Sequence, residues 1–88
     1  MVDMFYIYIL QLSDNTFYKG QTRDLDRRLN EHLLKNVKAT KSRLPFRLFH
    51  VEFCESRLKA RRLEKYFKSG MGREIIREIA AVVELADT

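Results

Sequence analysis

"FYIYILQLSDNTFYKGQT", residues 5–22, decides the fold. From Met4 to Gln11 the chain is almost wholly apolar or aromatic, with β-branched Ile7 and Ile9, which reads as a strand. "LSDNT" (12–16) then supplies Ser, Asp and Asn, which form turns readily. "TFYKG" (16–20) begins a second strand that Gly20 closes, where the missing side chain permits a bulge or the close approach of a ligand. The stretch therefore predicts an antiparallel β-hairpin. Side chains alternate across a strand, so Phe5, Ile7 and Ile9 share the core face and Tyr6 and Tyr8 a polar or partly covered one. A tight turn brings Tyr18 beside them. Taken alone, such cross-strand tyrosines are sheet packing.

Working outward, "RDLDRRLNEHLLK" (23–35) predicts a helix capped by Thr22 or Asp24, with Leu25, Leu29 and Leu33 as its core stripe. Residues 36–45, "NVKATKSRLP", form a basic, polar connection ending at the only proline. "FRLFHVEFC" (46–54) returns to strand, with Phe46, Leu48 and Phe49 followed by Val51 and Phe53. "SRLKARRLEKYFK" (56–68) is a second helix, capped by Ser56 and burying Ala60, Leu63 and Phe67. "SGMG" (69–72) breaks it, and "REIIREIAAVVEL" (73–85) makes a shorter third helix before a frayed end. The expectation is one α+β domain over residues 1–88. It is a three-stranded, largely antiparallel sheet flanked by helices in the order β-β-α-β-α-α.

Composition narrows the function classes. Eighty-eight residues lie near the lower end of what folds alone, and 45% hydrophobic content with one proline and three glycines is that of a globular chain. The single cysteine, Cys54, forms no intrachain disulfide and no CxxC motif, which suits a reducing, cytoplasmic setting. "MVDMFYIYIL" lacks a basic n-region and a small-residue cleavage site, so it reads as the first strand and not a leader. No apolar run approaches the roughly 20 residues that span a bilayer. Seventeen Lys and Arg against twelve Asp and Glu leave a net charge of +5, an excess that favours polyanions, nucleic acid above all.

Arg28 and His32 lie four apart, stacked on one helix face, each one position before a leucine of the stripe. That places them at the edge of the buried stripe, close to the sheet and within reach of solvent. Glu64 stands similarly beside Leu63, with Lys68 one turn on. Singly, each reads as a solvated surface charge. An Arg, a His, a Glu and phenols sharing one sheet surface in a basic protein are the parts needed to cut a phosphodiester.

With these residues in hand, the chain resembles the GIY-YIG endonucleases. "YIY" (6–8) stands where GIY is expected and "YKG" (18–20) where YIG is expected. "TRDLDRRLNEH" (22–32) matches the usual continuation, with its arginine on Arg28 and histidine on His32; "KARRLEKYFK" (59–68) carries the family's glutamate on Glu64. "KSGMGRE" (68–74) has the look of small stand-alone members, similar to the nuclease domain of the bacterial excision-repair C subunit. Tyr6 replaces the first motif's glycine and Lys19 the second motif's isoleucine.

The resemblance implies a DNA endonuclease of repair or recombination that depends on Mg2+ or Mn2+, with Glu64 the sole protein ligand of the metal. Arg28 would grip the scissile phosphate, and Tyr18, with Tyr8 beside it, would orient or deprotonate the attacking water. An ordinary phenol titrates near 10, so a tyrosine base needs positive charge nearby, from Arg28, Lys19 or the metal. His32 would relay a proton or bind phosphate. Lys19, Lys38, Lys41, Arg43 and Lys68 would hold the DNA backbone. Such domains rely on a partner protein or second domain for targeting. Two other readings stay open at this point: a nucleic-acid-binding module on the same fold without cleavage, and a small interaction protein whose tyrosines and basic helices are structural.

Overall fold

A computed structural model describes residues 4–86, with side chains through residue 83. The elements are β1 (Phe5–Gln11), β2 (Phe17–Thr22), α1 (Leu25–Leu33), β3 (Arg47–Cys54), α2 (Arg57–Lys68) and α3 (Gly70–Ala86). They form an α+β fold in the expected order. The strands lie as β2-β1-β3, antiparallel throughout, with β1 central. Among the described residues no helix is long and apolar enough to cross a membrane. The frayed end expected after residue 85 falls largely outside the described residues.

The hairpin turn closes through Leu12 N–H to Thr16 O and Asn15 N–H to Leu12 O, with Asn15 at φ 64°. That left-handed conformation is one asparagine tolerates better than most residues. β2 does not stop at Gly20; it runs on to Thr22, and Gly20 pairs with Tyr8 across the ladder.

Both faces of β1 are covered, which corrects the expectation of one core face. Phe5, Ile7 and Ile9 pack with Cys54, Ala60, Phe67 and Ile76, beneath α2 and α3. Tyr8, Leu10 and Leu12 pack with Tyr18, Leu25, Leu29 and Phe46, on the α1 side. A central strand covered by helices on both faces buries most of its side chains, all but Tyr6 and Gln11 here, so the near-continuous apolar run of β1 was the signal and its alternation was not.

Helix α1 also sits in a different rotation from the one expected. Asp24 caps it by accepting from Arg27 N–H, and Thr22 Oγ1 in turn accepts from Asp24 N–H. Leu25 and Leu29 face the sheet, but Leu33 is 58% exposed and His32 is 0% exposed. Steps of four residues drift about 40° around a helix, whereas seven residues return to within about 20°. His32, seven after Leu25, therefore continues the stripe that Leu33 has left.

Ser56 caps α2 by accepting from Lys59 N–H. α3 begins at Gly70 rather than 73 and is the longer helix, 17 residues against 12. Ser69 accounts for this. It ends α2 with extended backbone, while its hydroxyl accepts from Gly72 N–H and its carbonyl from Arg73 N–H to start α3. Gly72 lies against the Tyr66 carbonyl and the Phe67 Cα, where a Cβ has no room.

A candidate phosphodiester-cleaving site at the edge strand

Strand β2 is an edge strand, and its alternation sends the sequence-selected residues to two sides. Tyr18, Gly20 and Thr22 pair with Leu10, Tyr8 and Tyr6 on the α1 side; Phe17, Lys19 and Gln21 pair with Gln11, Ile9 and Ile7 on the α2 side.

On the α1 side four of the selected residues meet. Arg28 Nε donates to the Tyr8 hydroxyl at 3.3 Å. The Tyr8 hydroxyl lies 3.0 Å from His32 Nε2, and His32 Nδ1 lies 2.7 Å from Thr40 Oγ1, which donates to Val37 O at 3.5 Å. The Thr40–Val37 contact favours one direction of donation. Because Thr40 gives its proton to a carbonyl, it accepts from His32 Nδ1–H, which leaves Nε2 to accept from Tyr8 O–H. Tyr8 O–H thus donates to His32 while its oxygen accepts from Arg28. Tyr18 flanks the chain, its ring 6.1 Å from that of Tyr8 and 5.0 Å, edge-on, from His32.

Burial divides the roles. Tyr8, His32 and Thr40 are all fully buried, whereas Arg28 and Tyr18 are partly exposed. The open phenolic surface expected for Tyr8 is absent, and His32 is not at a solvent-reaching edge. Burial pushes the Tyr8 phenol up to about 12, with the Arg28 hydrogen bond opposing it. Burial also lowers His32, helped by the Arg28 charge, so the imidazole stays neutral as the donation pattern requires. Arg28 is held above its ordinary value, chiefly by the Tyr8 hydroxyl, and its Nη1 pairs with Glu31 at 2.9 Å.

Gly20 makes the arrangement possible. A Cβ built there would stand 2.5 Å from both Cζ and the hydroxyl of Tyr8. The close approach foreseen at this glycine is made by Tyr8 itself. Any side chain would push the phenol off Arg28 and His32.

Glu64 is not in this cluster. It rises from α2 on the opposite side of β2, where its Oε2 accepts from Gln21 Nε2 at 2.8 Å and its Oε1 pairs with Lys68 Nζ at 2.9 Å. Its side chain is 18% exposed. Among the described residues no three His, Cys, Asp or Glu side chains gather into a metal cage. Glu64 suits a different arrangement: a single partly exposed carboxylate, already holding one cation, with an amide as neighbour. That donor set fits a hard divalent ion that keeps most of its waters and takes further oxygens from a phosphate.

Lys19 shares the side of Glu64, away from the tyrosines. Lys38 and Lys41 are exposed on the connection between α1 and β3. Arg43 fastens that connection to the hairpin turn: its guanidinium bonds Thr16 Oγ1 at 2.9 Å and Ala39 O at 2.5 Å, with Asp14 at 3.7 Å. Two residues of this geometry escape sequence reading, Gln21 and Thr40. The alternation of β2 assigns Gln21 its side but not its partner. Thr40 sits in a basic polar stretch in which buried Val37, three residues earlier, is the nearest sign of burial.

The family model described as the GIY-YIG catalytic domain matches residues 4–74. A UPF0213 protein of Streptococcus agalactiae is 45% identical over 64 residues, covering 72% of this chain and 73% of that one. A UPF0213 protein of Haloquadratum walsbyi is 39% identical over 70 residues, 78% of this chain and 79% of that one. The solution NMR structure of a UPF0213 protein from Bacillus halodurans shares 35% identity, with a TM-score of 0.55 over 86% of this chain and 84% of that chain. A match spanning both strand motifs, α1 and the glutamate of α2 places the chain in the GIY-YIG family.

Proposed function

We propose that this GIY-YIG protein is a divalent-metal-dependent endonuclease that hydrolyses DNA phosphodiesters at the open edge of β2. The observation that carries the reading is the directed chain Arg28–Tyr8–His32–Thr40. It fixes a guanidinium beside the partly exposed phenol of Tyr18 on one side of the strand whose other side holds Glu64.

Each residue has a task its surroundings support. Arg28, locked at Nε and Nη1, meets the scissile phosphate with a preset orientation and stabilises the charge that develops there. Tyr18, flanking the Arg28–Tyr8–His32 chain, orients the attacking water and takes its proton. Tyr8, buried and far from ionising at neutral pH, is a positioning residue. It passes Arg28's orientation to His32, which in turn is held by Thr40. Glu64 would hold Mg2+ or Mn2+, which supplies Lewis acidity at the phosphate and leaving oxygen when bound. Lys19, Lys38, Lys41 and Lys68 hold backbone phosphates, and Arg43 braces the loop that presents two of them.

The motif's departures leave this machinery intact. Tyr6 packs edge-on against Phe53 with ring centroids 5.3 Å apart, and Lys19 points to the far side of the strand. The setting proposed is DNA repair or recombination, on the resemblance to the excision-repair nuclease domain.

Supercoiled plasmid incubated with the protein and Mg2+ or Mn2+ tests the reading. Nicking that requires the metal and disappears in folded Glu64→Ala supports it. Folded Glu64→Ala cutting at the parent rate overturns the metal assignment. A parent that binds DNA in a salt-sensitive way and never nicks it makes the chain a binding module.

A further inference from the structure

The side of β2 that carries Glu64 also carries a cluster of cations outside the chemistry described above. A hollow of about 360 Å³ lies between β2 and α3, walled by Lys19, Arg73 and Arg77 together with Asn15 and Thr16 of the hairpin turn. Arg73 and Arg77 are one turn apart on α3, both exposed, so their guanidinium groups share a helix face. No acidic residue lines the hollow. Among the described residues, Lys19, Arg73 and Arg77 have no carboxylate partner. The nearby Lys68 is paired, with Glu64.

Lys19 is half-buried, and burial together with the charges of Arg73, Lys68 and Arg77 lowers its affinity for its proton. Like charges gathered around a partly desolvated ammonium, without a counter-ion, destabilise the fold unless an anion joins them. The groups suit phosphate: two guanidinium forks for bidentate contacts and one ammonium as a point charge.

The surroundings extend the anion to a chain of phosphates. Lys19 and Gln21 are two residues apart on one face of a strand, about 6.6 Å, comparable to the separation of neighbouring phosphates along a nucleic-acid strand. Beyond Gln21 lies a second basic hollow, lined by Arg23, Arg57 and Arg61. The Glu64–Gln21 pair thus sits between two cationic hollows along one edge strand.

We infer that Lys19, Arg73 and Arg77 form a phosphate-binding subsite for the DNA backbone, seating a phosphate adjacent to the one cleaved and setting the register of the strand along β2. The lysine that departs from the family's second motif then has a purpose, since isoleucine there offers no charge to the hollow. The inference rests on the DNA reading of the preceding section, and neither Arg73 nor Arg77 takes part in the chemistry proposed there.

The test is equilibrium binding of a fluorescein-labelled 20-base-pair duplex in EDTA, across a salt series, for the parent, Arg73→Gln/Arg77→Gln and Lys19→Ile. Thermal unfolding checks that each variant folds, and Lys19→Ile restores the residue usual in the motif. The double variant is expected to bind about tenfold more weakly at low salt, with the slope of log K against log salt reduced by about 1.8. Lys19→Ile is expected to reduce the slope by about 0.9. Parent-level affinity and slope in both folded variants overturn the subsite and leave cleavage to its own nicking test. A parent whose binding is salt-sensitive, with a slope lost in the variants, but which never nicks, overturns the cleavage reading and keeps the subsite. A parent with no salt-sensitive binding overturns the subsite.

Discussion

Replacing Tyr8 by Phe removes one oxygen and keeps the ring, and the structure sets what that oxygen is worth. The hydroxyl donates to His32 Nε2 at 3.0 Å inside a fully buried cluster. In Tyr8→Phe that nitrogen keeps its burial and loses its donor, a penalty of about 1–3 kcal/mol. Arg28 also loses the acceptor of its Nε–H, but it is partly exposed and water replaces it. For a chain of this size each kcal/mol moves Tm by about 4–8 °C, so a loss near 2 kcal/mol lowers Tm by about 8–16 °C. The pH dependence provides an internal check. The unfolded chain releases the tyrosine proton near the ordinary value of 10.0, whereas the fold holds it to about 12. Between those values the unfolded state binds fewer protons than the folded one, so stability falls as pH rises. Two pKa units correspond to on the order of 3 kcal/mol. The parent's advantage over Tyr8→Phe is therefore whole below pH 10 and shrinks between pH 10 and 12. Urea denaturation followed by circular dichroism at pH 7 and pH 11 measures both. A variant within about 0.5 kcal/mol of the parent at pH 7, or an advantage identical at the two pH values, would refute the buried hydrogen-bond chain.

Three further outcomes follow from the same geometry. Gly20→Ala places a Cβ against the buried Tyr8 phenol and is expected to cost about 1–3 kcal/mol and to reduce nicking; an unchanged denaturation midpoint would show that the phenol moves aside freely. Burial lowers His32, so its contribution to stability is present above the unfolded value of 6.5 and is lost as pH falls through the folded value. An NMR titration in which His32 protonates at or above 6.5 in the folded protein contradicts its neutral, acceptor role. Arg28→Lys keeps the charge but loses the planar fork, and nicking is expected to fall by about 10²-fold or more at unchanged fold; parent-level activity would remove Arg28 from the phosphate.

Much of this molecule is legible in the chain. Element order and type follow from local signals: the apolar run of β1, the Ser-Asp-Asn turn, the caps at Asp24 and Ser56, and the leucine spacing of α1. Tyr8, Tyr18, Arg28 and His32 are also found by motif and spacing, and they do meet. Facing and burial were harder to read. Whether a strand has one covered side or two depends on its place in the sheet, which β1 shares with neighbours far along the chain. Tyr8 therefore reads as a half-open phenol in the sequence and is a buried hydrogen-bond donor in the fold. A small change in the rotation of α1 exchanges Leu33 for His32, a difference too fine for a period counted in fours. Ser69 serves the end of one helix and the start of the next, a double duty that a Ser-Gly break conceals.

The site shows the same division. Gly20 marks a close approach in the sequence, but only the ladder pairs it with Tyr8. Glu64 is recognisable by its setting in α2, yet its place across β2 from Arg28, and its bonds to Gln21 and Lys68, arise from helices packed on opposite faces of one sheet. Residue types and their spacing are properties of the chain and can be read along it. Which side chains share an enclosure depends on contacts between distant segments, and those exist only once the sheet has formed and both its faces are covered.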